Sequence, residues 1–265
     1  MSQLTVVPTP IGNMEDITQR GLRTLREASF VLAEDTRTTS ILFKHFGITT
    51  PLVSYHKFNE HEVACRYVDR IEAGEDAALV SDAGTPAISD PGYLIVALCV
   101  ERGIRVTCLP GATAFVPAIV CSGLPADKFC FEGFLPNKKR RQTILARLAE
   151  EPRTIIFYES PFRLTKTLGQ MAEAFGPERR AAVSREISKM FEETIRGSLA
   201  ELKLHFEETP PKGEIVIVVD GTGWRRRTAA EDDNAEDETE EQDLRQLRRS
   251  KKHKAPLDEQ NKETK

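Results

Sequence analysis

The feature that most constrains this chain is the regular spacing of short, uninterrupted apolar runs, each closed by glycine, proline or polar residues. Leu4–Val7, Phe30–Ala33, Ala77–Val80, Arg105–Leu109, Phe129–Phe131, Thr154–Tyr158, Ala181–Ser184 and Glu214–Val219 all have this character. A strand buried on both faces has no polar side to alternate with, so it reads as a continuous run. Helix signals fill the gaps. Asp90-Pro91 offers a capping carboxylate and a first-turn proline ahead of Tyr93–Glu101, with Gly103 as the stop. Ser160-Pro161 offers the same ahead of Leu164, Leu168 and Met171, with Gly176 at the end. Asn59 with Glu62, and Ser198 with Glu201, have the spacing of capping boxes. Strand and helix in alternation predict an α/β chain whose first sheet is largely parallel.

A break in pattern near Cys121-Ser122-Gly123-Leu124-Pro125 divides the reading into two α/β domains, 1–121 and 122–221. From 222 to 265 large apolar residues almost vanish and acidic then basic residues crowd together. Such a segment cannot bury enough surface to offset its conformational entropy, so a disordered charged tail is expected.

Composition excludes several classes. No apolar run approaches the roughly 18 residues of a membrane span, and Met1-Ser2-Gln3-Leu4-Thr5 has no signal-peptide pattern. The five cysteines are scattered and form no C-x-x-C pair. Reduced thiols in a cytoplasmic protein are therefore expected, without a metal centre. The net charge is −4, so any nucleic acid must be held by local basic patches and not by bulk charge.

In open α/β sheets ligands sit beyond the carboxyl ends of the strands. Four such ends carry small, turn-prone residues: Pro8-Thr9-Pro10-Ile11-Gly12-Asn13, Glu34-Asp35-Thr36-Arg37, Ser81 to Gly92, and Pro110-Gly111-Ala112-Thr113-Ala114. The third is too long for a simple strand-to-helix turn, and it carries two aspartates, two glycines and two prolines. It contains neither a P-loop nor G-x-G-x-x-G, so phosphate cradling is not indicated.

The run Ser81-Asp82-Ala83-Gly84-Thr85-Pro86-Ala87-Ile88-Ser89-Asp90-Pro91-Gly92 resembles the signature of the ribosomal RNA small subunit methyltransferase I family. Five further blocks in the same order strengthen the resemblance over residues 4 to about 220. They are Val7–Asn13, Ala33–Arg37, Ser54–His56 with Asn59-Glu60, Phe129–Pro136, and Phe157–Arg163. The resemblance implies a tetrapyrrole methylase architecture of two α/β domains with S-adenosyl-L-methionine in the cleft between them. It further implies no metal, a homodimer, and methylation of the ribose 2′-oxygen of a cytidine in 16S ribosomal RNA of the small subunit. A rival expectation is a methyltransferase of corrin or porphyrin precursors, although those enzymes open with a G-x-G-x-G-D segment that is replaced here by Pro8–Asp16.

By resemblance, Pro10, Asp82, Gly84, Thr85, Ile88, Thr113 and Ala114 are expected to hold the donor. Asp82 can accept from its ammonium or ribose hydroxyls, or serve as a turn cap, and Gly84 admits close backbone approach. For the acceptor side the candidates are Glu34, Asp35, Arg37, His56 and Glu159, through proton transfer or orientation. Glu34, Asp35 and Arg37 read equally well as a structural ion-pair cluster. RNA contacts are expected from Lys138, Lys139, Arg140 and Arg141, with Arg163 and Arg185, although a run of this kind also reads as a solvated helix start.

Overall fold

The computed structural model describes residues 2–137 and 140–222. The charged tail beyond Thr222, and with it Lys138 and Lys139, lies outside the described residues.

The first sheet has five strands, β1 (Gln3–Val6), β2 (Phe30–Ala33), β3 (Leu52–Ser54), β4 (Ala77–Val80) and β5 (Arg105–Cys108), in the order β3-β2-β4-β1-β5. Every pairing is parallel, so all five carboxyl ends emerge on one edge. Helices α1 (Gln19–Glu27), α2 (Thr36–Phe46), α3 (Glu60–Glu72), α4 (Tyr93–Glu101) and α5 (Phe115–Ser122) alternate with the strands. The apolar runs are continuous because successive side chains serve opposite layers. Phe30 and Leu32 join Tyr67, Val68 and Ile95 in one core, while Val31 and Ala33 join Leu22, Leu25 and Phe43 in another.

The second sheet holds β6 (Phe129–Phe134), β7 (Thr154–Glu159), β8 (Arg180–Arg185), β9 (Glu193–Ser198) and β10 (Ile215–Val219), in the order β6-β7-β10-β8-β9. Only β6 and β7 pair in parallel; the other three pairings are antiparallel. Helices α6 (Arg141–Leu148), α7 (Leu164–Phe175) and α8 (Leu199–Glu208) cover one face through Leu145, Leu168, Met171 and Leu202. The opposite face presents Ile156, Val216 and Val218 to Ile11, Ala118, Ile119 and Leu124. That layer joins α5 and the loop after β1 to the second sheet, so the strand ends of the first sheet face the second.

Two strands, β3 and β9, carry no long apolar run in the sequence. Both are edge strands, half exposed and paired on one side only. Three of the four caps read from the sequence differ in the structure. Gly92 (φ 142°), not Asp90, precedes α4, and Arg163 precedes α7 with no side-chain cap. Asn59 precedes α3, but its Oδ1 accepts from the His56 amide at 2.8 Å and makes no bond to the helix. Only Ser198 and Glu201 form the reciprocal capping box.

Candidate functional site

The loops after β1 and β4 are stitched to each other and to their neighbours. Thr9 Oγ1 donates to the Ser81 carbonyl at 3.0 Å, and Thr85 Oγ1 donates to the Ala112 carbonyl at 3.1 Å. The Asp35 amide donates to Asp82 Oδ1 at 3.1 Å. Four strand ends thereby share one scaffold before any ligand arrives.

Between this scaffold and the second sheet lies a cavity of about 480 Å³. From the first sheet it is lined by Ile11, Glu34, Asp82–Thr85, Ile88–Asp90 and Thr113-Ala114; from the second, by Phe134, Tyr158–Pro161, Ile187 and Gly213–Val216. The long loop reaches it through a strained path, with Gly84 at φ 79°, Ala87 at 70° and Ser89 at 68°. Left-handed backbone at two non-glycine residues is uncommon and persists only where the surroundings impose it.

The electrostatics are one-sided. Glu34, Asp82, Asp90, Glu159 and Glu214 line the cavity, and among its described lining residues there is no Lys, Arg or His. Burial pushes the Glu34 and Asp82 carboxyls above their ordinary values. Asp90 is pushed up to about 7, first by burial and then by the charges of Glu34 and Asp82. The Thr113 hydroxyl oxygen is buried with no hydrogen-bond partner. Such a cavity is short of positive charge and of a partner for Thr113, which suits a cationic ligand with donor groups. Among the described residues no group of three or more His, Cys, Asp or Glu is placed to hold a metal ion.

Of the residues expected to bind the donor, Asp82, Gly84, Thr85, Ile88, Thr113 and Ala114 line the cavity, whereas Pro10 does not and its neighbour Ile11 does. Of the acceptor-side set, Glu34 and Glu159 line it. Asp35 and Arg37 form an ion pair at 2.7 Å with the arginine side chain 91% exposed, which holds the Asp35 carboxyl at about 2. His56 lies close enough for its charge to act on Glu34, and its Nδ1 is buried without a partner.

Glu159 is already committed. It accepts from Thr167 Oγ1 at 2.7 Å and from the Ser160 amide at 2.8 Å. Two guanidinium groups also pair with it, Arg163 at 2.7 Å and Arg141 at 3.4 Å. Both of its oxygens are thus occupied by donors of the chain itself. Arg141 departs from the expected surface contact: it is 7% exposed and also bonds Gln170 and the Pro136 carbonyl. It turns inward because buried Glu159 requires a countercharge. Arg185 pairs with Glu193 at 2.7 Å, and Arg140 begins α6 exposed at φ 71°.

The residue that sequence reasoning missed is Asp90. Next to a proline it looks like a cap, and only Gly92 reveals otherwise. Gly92 precedes α4 with no side-chain cap, a Cβ there would meet Leu79 Cδ2 at 3.0 Å and Ala87 N at 3.2 Å, and the Asp90 carboxyl is hydrogen-bonded to Ser81 instead.

Comparison with known proteins is consistent in family and fold. The family model "Tetrapyrrole (Corrin/Porphyrin) Methylases" matches residues 3–203. The chain is 50% identical over 238 residues to the ribosomal RNA small subunit methyltransferase I of Pseudomonas aeruginosa, covering 88% of this chain and 83% of that one. It is 45% identical over 221 residues to the protein of that name from Thermotoga maritima, covering 83% and 99%. A uroporphyrin-III C-methyltransferase from Thermus thermophilus, solved with S-adenyl homocysteine, superposes with a TM-score of 0.56 at 18% identity, covering 84% and 98%. At that identity the likeness is one of fold. The matches over most of the chain place it in the tetrapyrrole methylases and, within them, in the ribosomal RNA small subunit methyltransferase I family.

Proposed function

We propose that this chain transfers a methyl group from S-adenosyl-L-methionine to the ribose 2′-oxygen of a cytidine in 16S ribosomal RNA, on the small ribosomal subunit, in the cytoplasm. The observation that carries this reading is the carboxylate-lined cavity at the stitched strand ends. A donor with a sulfonium and an ammonium against one carboxylate brings net positive charge to a cavity whose lining holds Glu34, Asp82 and Asp90 without a cationic partner among its lining residues. The Thermus relative's S-adenyl homocysteine complex supports the same assignment.

The residues present fit that donor. Asp82 and Glu34 accept from its ammonium or ribose hydroxyls, Thr113 gains the partner it lacks, and Gly84 lets backbone approach. The bound donor supplies an already activated methyl group, so the protein's main task is positioning. Asp90 takes the proton of the ribose hydroxyl as that oxygen gains the methyl. Its carboxyl, at about 7, is matched to proton transfer near neutral pH. Glu159 orients Arg163 and Ser160 at the acceptor end of the cavity. RNA phosphates are kept out of the acidic interior and engage exposed cations outside it, Arg140 among the described ones.

The second copy of a homodimer would cover α4 and α5. Both are apolar on nearly all sides, with Tyr93, Val100 and Val120 at 77%, 62% and 69% exposure. Helices of that composition are normally buried. A corrin or porphyrin acceptor rests only on relatives similar in fold. Among the described residues no helix is long and apolar enough to cross a membrane.

The test is incubation of the purified chain with labelled donor and small subunits from a strain lacking the enzyme, followed by mapping of ribose methylation. Incorporation at one ribose is expected. No incorporation, or a methyl on a base, would overturn the reading.

A further inference from the structure

Two phenylalanines are left almost wholly in solvent, Phe58 at 96% and Phe162 at 97%. They occupy equivalent positions. In the turn 56–59 the Asn59 amide donates to the His56 carbonyl at 3.0 Å; in the turn 160–163 the Arg163 amide donates to the Ser160 carbonyl at 3.0 Å. Each phenylalanine is the third residue of its four-residue turn. Each turn follows a strand end, β3 and then β7, and leads directly into a helix, α3 and then α7.

Both turns are braced, so the exposure is not that of a loose loop. Asn59 Oδ1 accepts from the His56 amide at 2.8 Å, and the His56 ring stands edge-on to Phe58 with centroids 6.1 Å apart. Arg163 is anchored on Glu159 at 2.7 Å and on Asn137. The second turn lines the cavity through Ser160 and Pro161, and the first carries His56, near enough to the lining carboxylate Glu34 for its charge to act on it. Neither ring gains from burial in the folded chain, and each is presented by a hydrogen-bonded turn.

We infer that Phe58 and Phe162 are stacking platforms for unpaired bases of the RNA strand on either side of the ribose being methylated. The inference rests on the proposed RNA substrate and adds how that strand is held. A ribose hydroxyl can enter the cavity only if the strand is unpaired and its bases are splayed, and splayed bases stack on aromatic faces. A single strand is favoured over a protein partner because exposed positive charge accompanies the rings. Lys57 is exposed beside Phe58; Arg37, 91% exposed though paired with Asp35, lies in the first turn of α2 after the neighbouring strand β2; and Arg163, 33% exposed though paired with Glu159, follows Phe162. Rings with cations along a backbone track are what a single-stranded nucleic acid requires.

The experiment uses the full chain and an unstructured ribosomal RNA oligonucleotide carrying 2-aminopurine, whose fluorescence is quenched by stacking. Wild-type protein should quench the probe and bind it more tightly than a blunt duplex of the same sequence. F58A and F162A should each weaken binding by roughly 10-fold to 100-fold, from about 1–3 kcal/mol per stacked base. F58W and F162W should restore both binding and quenching. Donor affinity by calorimetry should be unchanged in all four variants, since neither ring lines the cavity. Alanine variants that bind, quench and methylate subunits like wild type would overturn the stacking role while leaving the methylation reading intact. A wild-type chain that neither binds ribosomal RNA nor methylates it would overturn both.

Discussion

Thr9 and Gly84 exchange both of their backbone hydrogen bonds, each at 2.9 Å, so a single antiparallel rung ties the loop after β1 to the loop after β4. The rung crosses two strands that are themselves parallel, and it sets the floor of the cavity. Gly84 makes it at φ 79°, where a side chain is strained. A Cβ at this position would meet only Ile11 at 3.5 Å and Ala112 O at 3.8 Å, so space is not the obstacle. Gly84→Ala should therefore cost about 1–2 kcal/mol of stability and weaken donor binding roughly 10-fold by moving the floor. Calorimetry on folded variant protein checks this, and an unchanged donor affinity would place the site elsewhere.

Gly111 makes a different case. A Cβ there would lie 2.6 Å from Pro8 Cβ and 2.9 Å from Pro8 Cγ, a rigid ring with no alternative rotamer. Gly111→Ala should force the loops after β1 and β5 apart, at about 1–3 kcal/mol. Thermal unfolding should show the loss, and donor affinity should fall with it.

Asp90 supplies a pH signature. Its folded value, about 7, lies above its ordinary value of 3.8, so the folded chain binds the proton more tightly than the unfolded one. Its contribution favours folding least above pH 7, and the penalty fades as pH falls from 7 towards 4. Asp90→Asn should thus raise stability at pH 8 by about 1–2 kcal/mol after solvent screening, with little effect near pH 4. The same substitution should lower the methylation rate by roughly 100-fold or more. In wild type, kcat/KM should climb through a limb near pH 7. A flat profile, or an active Asp90→Asn, would remove Asp90 as the base.

Glu159 and Arg141 form a buried pair at 3.4 Å, with side chains 1% and 8% exposed. Glu159→Ala leaves two guanidinium groups without their carboxylate and should cost about 3–5 kcal/mol. Arg141→Glu should be at least as damaging, because it sets two buried carboxylates together. Denaturant unfolding separates this from RNA affinity: Arg140→Glu, at an exposed position, should leave stability within about 0.5 kcal/mol.

The parallel sheet and its loaded strand ends were legible because their cause is local. A strand buried on both faces must be apolar throughout, and Phe30–Ala33 and Ala77–Val80 are fully buried. Edge strands escape that demand, so Leu52–Ser54 and Glu193–Ser198 carried no comparable signal. Most of the residues that the family resemblance assigned to the donor do line the cavity, and their small size has a related reason. Small residues such as Gly84, Thr113 and Ala114 at a strand end reflect backbone approach, which leaves a mark in composition.

What only the tertiary structure decided is the assignment of charges. Asp90 reads as a helix cap, and Arg141 as part of a basic surface run. In the folded chain Asp90 lines the cavity beside Glu34 and Asp82, and Arg141 turns inward to Glu159, 18 residues away. A hydrophobic pattern is satisfied by any apolar neighbour and is therefore written along the chain. A charge is tuned by particular partners and by the water it loses, and those are known only once distant segments meet.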